Sequence, residues 1–237
     1  MKKINLVSGP RNISTAMMYS FAQRSDTTVI DEPFYAVYFL KSGVVHPGRN
    51  EVLKAQPHTE AEVFAQLSAL DSQPNLLVKN MAHHIEVLEN PQLESFSNIF
   101  LIRNPKQIIA SYSQVIEQPV MRDIGLEYQF KLFDLLRGSG STPTVIDSGM
   151  LLQDPPVVLK KLCQALDVPF EATMLRWPPG PKPYDGVWAP YWYKNVHQST
   201  GFAKQSTSDR AMRDDLLELY EQARFYYEKL LPFALTP

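Results

Sequence analysis

The sequence predicts an α/β fold in which a largely parallel sheet lies between two layers of helices. Three observations lead to this class. Short apolar runs alternate with stretches of helical periodicity along most of the 237 residues, and such alternation is typical of parallel sheets covered on both faces. The chain is 44% hydrophobic and 20% charged, as in ordinary globular proteins. It also shows no internal repeat, so we expect one domain over residues 1–237.

Five apolar runs predict the strands of the sheet. Each run is short, is rich in β-branched residues or leucine, and is bounded by turn residues. In chain order they cover 4–7, 27–31, 76–79, 98–103 and 144–147. Ligands of parallel sheets bind at the carboxyl ends of the strands. The polar residues that follow these runs are therefore the first candidates for a site.

Helical periodicity predicts the elements that connect the strands. Thr59 and Glu62 have the spacing of a capping box, which opens one of these helices. The expected helices cover 16–24, 59–70, 85–88, 106–117, 122–137, 155–166 and 209–231. Two stretches lack a regular period: 36–56, which carries glycine and proline breakers, and 177–205, which is an aromatic, proline-rich loop.

Composition narrows the function classes. A net charge of −2 and a pI of about 6.2 do not favour binding to nucleic acid. No apolar run approaches the length of a membrane span, and the apolar run after Lys3 is too short for a signal peptide. The single cysteine, Cys163, allows no intrachain disulfide, which fits a reducing compartment. We expect a cytoplasmic protein without nucleic-acid or membrane partners; its oligomeric state stays open.

The first motif is the loop between the first strand and the following helix. Backbone N–H groups and the positive end of a helix dipole favour a phosphate or sulfate at such a place. Arg11 adds a planar cation, and Ser14 and Thr15 add hydroxyl donors. An ordinary turn with a helix cap would use the same residues. The pattern G-x-x-x-x-G-K-[ST] of nucleotide hydrolases is not met, because Ser14 and Thr15 replace its second glycine and its lysine.

The second motif is more specific and begins at Arg103, the last residue of the fourth predicted strand. Asn104 and Pro105 follow it and start a helix, and Ser111 lies two turns into that helix. A phosphate lying along the helix could contact both Arg103 and Ser111. The alternative is a surface arginine and a helical serine without a shared role.

With both motifs the chain resembles the sulfotransferases that use 3′-phosphoadenosine-5′-phosphosulfate (PAPS). In that family an N-terminal loop, often Pro-Lys-Ser-Gly-Thr-Thr, binds the 5′-phosphosulfate, and residues 10–15 occupy its place with Arg11 for the usual lysine. A later Arg-x-Pro, with serine eight residues after the arginine, binds the 3′-phosphate. Arg103 and Ser111 match that spacing. The resemblance covers residues 4–167.

The resemblance implies a P-loop NTPase-like sulfotransferase fold, with PAPS as co-substrate and 3′-phosphoadenosine-5′-phosphate (PAP) as product. It assigns the 3′-phosphate to Arg103 and Ser111. It assigns the phosphosulfate to Arg11, Asn12, Ile13, Ser14 and Thr15. No metal is expected, since His46, His58 and His197 have no ligand spacing with acidic residues.

Two types of residue could act as the base. Carbohydrate and bacterial members of the family use a glutamate after the second strand, which corresponds to Glu32. Cytosolic members use a histidine just after a strand, and here His83 and His84 follow Lys79. Position favours Glu32, and His83 stays close behind it. Lys79 would either stabilise the transferred group or form an ion pair.

The expected reaction is in-line sulfuryl transfer to a hydroxyl or amine of a small acceptor. A nucleotide-dependent phosphotransferase and a non-catalytic nucleotide-binding protein remain alternatives. Cytosolic members close over the nucleotide with a glycine-rich basic segment, and residues 199–204 are its nearest counterpart. The aromatic loop over 177–205 would either wall an acceptor pocket or pack onto the domain.

Overall fold

The structure is a computed structural model that describes residues 1–70, 73–89, 92–203 and 212–237. Five strands form one sheet in the order β2-β3-β1-β4-β5, and every neighbouring pair is parallel. They are β1 Lys2–Ser8, β2 Thr27–Asp31, β3 Asn75–Met81, β4 Ser97–Ile102 and β5 Thr144–Asp147. The five predicted strands and the parallel sheet are confirmed.

Helices cover both faces of this sheet. Within the described ranges they are α1 Ser14–Phe21, α2 Tyr35–Ser42, α3 Arg49–Ala55, α4 Glu60–Ser68, α5 Ala82–Ile85, α6 Pro105–Tyr112, α7 Met121–Ile124, α8 Leu126–Gly138, α9 Ser148–Gln153, α10 Pro155–Ala165, α11 Ala189–Trp192, α12 Lys194–His197 and α13 Leu217–Leu230. Short 3₁₀ turns lie at Leu93–Ser95, Ala172–Leu175, Asp214–Leu216 and Leu231–Phe233. No helix in the described part of the chain combines the length and the apolar character needed to cross a membrane.

The core is split by the sheet into two apolar layers. Successive side chains of a strand point to opposite faces, and in β1 Leu6 belongs to one layer and Val7 to the other. The layer with Leu6 contains α1 and α10. The layer with Val7 contains α4, α6, α8 and α13. The result is the three-layer arrangement that the alternating pattern predicts.

Two predicted helices are shorter or broken. The helix expected over 106–117 ends at Tyr112. Beyond it only turn hydrogen bonds continue, and Val115 is half exposed, so no packing sustains a further helical turn. The helix expected over 122–137 is interrupted at Gly125, whose φ of 73° ends α7 and starts α8. A Cβ there would lie 2.8 Å from that of Ala82, so this close approach requires glycine.

Other boundaries differ because tertiary packing decides them. The helix expected over 85–88 lies at Ala82–Ile85, directly after β3, which places His83 and His84 on it. The unassigned stretch 36–56 contains α2 and α3, and its glycine breakers lie between them, with Gly43 at the C-cap of α2 and Gly48 at the N-cap of α3. The loop 177–205 contains α11 and α12. The last helix begins at Leu217, and its expected start at residue 209 lies outside the described residues.

The strand register brings the candidate residues to one edge. Ser8 pairs with Met81 on one side and with Leu101 on the other. Asp31 pairs with Lys79. The segments that leave β1, β2, β3 and β4 therefore meet above the carboxyl ends of neighbouring strands.

Candidate active site

A cleft of about 720 Å³ opens at this edge of the sheet. Its volume lies within the usual range for a small-molecule site, roughly 300–1,000 Å³. Every residue that the sequence singled out for nucleotide binding or for acid–base chemistry lines it. These are Arg11, Asn12, Ile13, Ser14, Thr15, Glu32, Lys79, His83, His84, Arg103 and Ser111.

The loop after β1 is shaped by two residues with positive φ, Arg11 at 55° and Ile13 at 49°. Ile13 is the N-cap of α1 and cannot cap it with a side-chain oxygen. By contrast, α6 and α10 are capped by the side chains of Asn104 and Asp154. The first amides of α1 therefore have no side-chain cap, and they line a cleft in which an anion could accept from them.

Two guanidinium groups converge beside this loop. Arg11 Nε donates to Ser111 Oγ over 2.9 Å, and Arg103 Nη1 donates to the carbonyl oxygen of Arg11 over 2.7 Å. Arg103 Nε also donates to Gln107 Oε1 over 2.9 Å. Burial and the neighbouring Arg11 charge lower the pKa of Arg103. An anion bound here would offset the repulsion between the two cations.

A buried group of two carboxylates and one ammonium lies at the ends of β2 and β3. Lys79 Nζ donates to Asp31 Oδ1 over 2.9 Å and also to Glu32 Oε1. The Lys79 side chain is only 1% exposed. Glu32 has a φ of 42°, and its N–H donates to the carbonyl oxygen of Lys79 over 2.8 Å. Gln56 Nε2 donates to the carbonyl oxygen of Glu32 over 2.9 Å, so the strained residue is held from two sides.

The ionisation of this group follows from its burial and its charges. Burial raises the pKa of Glu32, the charge of Asp31 raises it further, and Lys79 only partly offsets these effects. Burial opposes the charge of Lys79, but the two carboxylates outweigh it and raise the pKa of the ammonium. One cation cannot fully compensate two desolvated carboxylates. Glu32 is therefore a carboxylate of unusually high proton affinity.

His84 stands beside Glu32, His83 packs edge-on against His84, and both imidazoles are neutral. Burial and the neighbouring His46 lower the pKa of His83 to about 3. Burial and His83 lower the pKa of His84 well below its ordinary value. His84 Nδ1 lies 3.6 Å from Glu32 Oε2. An imidazole with so low a pKa is a weak proton acceptor, so the electrostatics favour Glu32 over His83 as a base.

Comparison with known proteins identifies the family. The sequence profile described as "Sulfotransferase domain" matches residues 1–230. The chain belongs to the sulfotransferase domain family.

Two curated relatives from Arabidopsis thaliana are similar to this sulfotransferase domain. It is 38% identical over 225 residues to "Branched-chain-amino-acid aminotransferase-like protein 1", covering 94% of this chain and 40% of that relative. It is 35% identical over 226 residues to "Branched-chain-amino-acid aminotransferase-like protein 2", covering 92% of this chain and 40% of that relative. The chain thus spans less than half the length of these relatives.

Solved structures share the fold of this sulfotransferase domain. The sulfotransferase domain of the Synechococcus PCC 7002 olefin synthase aligns with a TM-score of 0.57 and 19% identity over 94% of each chain. A sulfotransferase from Alicyclobacillus acidocaldarius aligns with a TM-score of 0.55 and 13% identity over 99% of this chain and 98% of its own. The parallel sheet flanked by helices is the P-loop-like sulfotransferase fold.

The aromatic segment, which is the described part of the loop 177–205, lines the cleft with some of its rings and packs onto the domain with others. Trp188, Trp192 and Tyr193 line the cleft. Trp177 and Tyr184 pack edge-on against Tyr19 of α1, with ring centroids 6.2 and 5.7 Å away. The segment therefore both walls the site and anchors itself to the domain.

The expected nucleotide-closing segment 199–204 also reaches this cleft. Ser199, Gly201, Phe202 and Ala203 line it. Its basic residue, Lys204, lies outside the described residues.

The roles of two residues in this candidate site were not predicted. Asp31 could have been found, because it ends a predicted strand immediately before Glu32. Tyr193 was expected only as one of the aromatic residues of the loop 177–205, and nothing in the sequence indicated its contact with Lys79, 114 residues earlier, whose ammonium donates to its hydroxyl over 2.9 Å. In the described ranges no group of three or more histidine, cysteine, aspartate or glutamate side chains is arranged to hold a metal ion.

Proposed function

We propose that this domain transfers a sulfuryl group from PAPS to a hydroxyl or amine of a small molecule and releases PAP. The observation that carries the proposal is the pairing of two sites in one cleft. Arg11, Arg103 and Ser111 meet the uncapped start of α1 on one side, and Glu32 with Lys79 lies on the other. Anion binding and proton transfer are the two tasks that sulfuryl transfer requires.

The nucleotide would occupy the half of the cleft that holds the two guanidinium groups. Arg11, Ser14, Thr15 and the backbone amides of the loop after β1 would bind the phosphosulfate. Arg103 and Ser111 would bind the 3′-phosphate. Three kinds of donor support binding of the nucleotide here. They are the guanidinium groups of Arg11 and Arg103, the serine and threonine hydroxyls, and the first amides of α1, which have no side-chain cap.

The chemistry assigned to the chain's residues is positioning, charge stabilisation and removal of one proton. PAPS supplies the activated sulfuryl group: the acceptor oxygen or nitrogen forms a bond to sulfur as the bond from sulfur to the 5′-phosphate oxygen breaks. Glu32 takes the acceptor proton, for which its raised pKa is suited. Arg11 and the loop amides stabilise the negative charge that gathers on the leaving phosphate.

Turnover of PAPS in the presence of acceptors tests the proposal. The protein is incubated with PAPS and pooled phenols, aliphatic alcohols, sugars and amines, and PAP is quantified by chromatography. We expect acceptor-dependent PAP from the wild type and a loss of roughly 10²–10⁴-fold in Glu32→Gln. Glu51→Gln is the matched control, because Glu51 is exposed and its carboxylate accepts from Tyr191 at the surface. Equal turnover in Glu32→Gln and the wild type would contradict the assignment.

A further inference from the structure

Tyr193 connects the aromatic segment to the buried carboxylates. It lies between α11 and α12 and is 5% exposed. Its hydroxyl donates to Asp31 Oδ2 over 2.7 Å and accepts from Lys79 Nζ over 2.9 Å and from Trp188 Nε1 over 3.2 Å. Thr15 of α1 makes a further side-chain hydrogen bond to this hydroxyl. A side chain from the C-terminal third of the chain thus completes a cluster built on β2 and β3.

With Tyr193 in place, all three N–H groups of Lys79 are committed. They point to Asp31 Oδ1, Glu32 Oε1 and Tyr193 Oη. The ammonium cannot also donate to a transferred group while these three bonds persist. Lys79 therefore acts on Glu32 and does not itself contact the substrate in this arrangement.

This arrangement makes the two oxygens of Glu32 different. Oε1 accepts from Lys79 and lies 3.5 Å from Tyr193 Oη, whereas Oε2 lies 3.6 Å from the neutral His84. In the described part of the chain no hydrogen bond to Oε2 is formed. Oε2 is thus the oxygen left to accept a proton, and Lys79 and Tyr193 hold the carboxylate so that it stays available.

The aromatic segment is fixed to the same carboxylates at a second point. The N–H of Gly186 donates to Asp31 Oδ2 over 3.2 Å. A Cβ at Gly186 would lie 2.2 Å from the Trp188 ring. The ring therefore packs directly on the Gly186 backbone, which requires glycine at this position. Trp188 in turn donates to Tyr193. The position of the aromatic segment and the geometry of Asp31 and Lys79 are therefore linked through Tyr193.

We infer that Tyr193 is a positioning residue for the base: its hydroxyl fixes Lys79 and Asp31 and thereby holds Glu32 with Oε2 open to the acceptor. The inference rests on the proposed function only in taking Glu32 as the base. The ionisable side chains that surround Glu32 are Asp31, Tyr35, Lys79, His84 and Tyr193. Loss of the Tyr193 hydroxyl removes a hydrogen-bond donor from Asp31, and the Lys79 ammonium then shifts toward the Asp31 carboxylate. Glu32 then receives less of the ammonium charge and binds its proton more tightly.

The test is a carbon-13 NMR titration of glutamate carboxyl groups, with the Glu32 signal assigned by its absence in Glu32→Gln. Tyr193→Phe keeps the ring and removes only the hydroxyl. Tyr191→Phe is the matched control two residues earlier, since Tyr191 is half exposed and bonded to Glu51 at the surface. We expect the Glu32 midpoint to rise by about half a pH unit or more in Tyr193→Phe and to stay unchanged in Tyr191→Phe. Equal midpoints in the wild type and Tyr193→Phe would overturn the inference.

Two further measurements separate the possible failures. Calorimetric PAP binding within about twofold of the wild type shows that Tyr193→Phe is folded and that the nucleotide half is intact. If PAP binds to no variant while the Glu32 shift is seen, the proposed function fails and the positioning role stands. If Tyr193→Phe does not fold, the wild-type protein still decides by hydroxyl-proton exchange in NMR: a Tyr193 hydroxyl proton that exchanges with water as fast as that of the half-exposed Tyr191 would overturn the inference, because the hydroxyl would then not be held by Asp31 and Lys79.

Discussion

Arg11 Nε donates to Ser111 Oγ over 2.9 Å, although 100 residues separate them along the chain. The contact joins the loop after β1 to α6, which follows β4. Because β1 and β4 are paired neighbours, the two segments that we propose to bind anions share one end of the cleft although they are distant in sequence.

Arg103 should be the main determinant of affinity for a 3′-phosphate. Removal of one charge-assisted, bidentate-capable donor costs about 1.5–3 kcal/mol, so Arg103→Ala should weaken PAP binding roughly 10- to 150-fold in calorimetry. Lys106→Ala removes a cation three residues later that is exposed and does not line the cleft. That control should bind PAP like the wild type; equal losses in both variants would indicate a general charge effect in place of a specific contact.

Ser111 should contribute less than Arg103 to the affinity for PAP. It offers one neutral hydroxyl, worth about 0.5–1.5 kcal/mol, and it also holds Arg11 in place. Ser111→Ala should weaken PAP binding about 2- to 13-fold. Ser113→Ala, two residues later and outside the cleft lining, should change nothing measurable. Unaltered affinity in Ser111→Ala would remove this serine from the nucleotide site.

His83 should prove dispensable as a base. Its pKa is lowered to about 3 by burial, so it is neutral at pH 7 and accepts protons poorly. His83→Asn should lose less than about tenfold in turnover, whereas Glu32→Gln should lose on the order of 10²–10⁴-fold. The comparison uses initial rates of PAP formation at saturating PAPS. The opposite ranking would transfer the role of base to His83.

Lys79 should be essential for stability as well as for turnover. Lys79→Met would leave Asp31 and Glu32 buried without their cation, and breaking a buried pair in this way costs about 3–5 kcal/mol. Lys131→Met is the control, since Lys131 pairs with Glu127 on an exposed helix face, where such pairs contribute little. Urea unfolding monitored by tryptophan fluorescence measures both. A Lys79→Met protein as stable as the wild type would show that the cluster is not ionised as described.

The pH dependence of transfer should show the raised proton affinity of Glu32. The base works only when deprotonated, and burial with Asp31 raises its pKa. Activity should therefore be low in acid and increase with pH, with a midpoint at least one unit above the ordinary glutamate value of about 4.3. Initial rates between pH 4.5 and 8.5 at saturating PAPS measure this limb. A flat profile from pH 5 upward would mean that Glu32 ionises as an ordinary carboxyl or is not the base.

The fold was predictable because its signals are local. The β-branched and leucine runs of the strands are continuous, and Thr59 caps α4 through the capping box that its spacing with Glu62 predicts. Helix α2 was missed because the glycine breakers beside it obscure its extent: Gly43 and Gly48 lie at the C-cap of α2 and the N-cap of α3, and not inside either helix. The break at Gly125 was missed because it depends on contact with Ala82, far away in sequence.

The candidate site was predictable only to the extent that it lies at strand ends. Arg11, Glu32, His83 and Arg103 each follow a strand, so the parallel topology alone brings them together. Tyr193 follows no strand, and its partners are set by how an irregular segment packs over the sheet. The weakness of His83 as a base is likewise a consequence of burial, which composition and spacing do not reveal.

The most direct test of the central claim is calorimetric titration of the wild-type protein with PAP and, separately, with ADP. The two nucleotides are isomers: PAP carries its second phosphate on the 3′ oxygen, for which Arg103 and Ser111 are proposed as the binding pair, whereas ADP carries it on the 5′-phosphate. We expect PAP to bind at least tenfold more tightly than ADP, a difference of about 1.4 kcal/mol or more. Equal binding of the two nucleotides, or tighter binding of ADP, would contradict the 3′-phosphate site and with it the proposed use of PAPS.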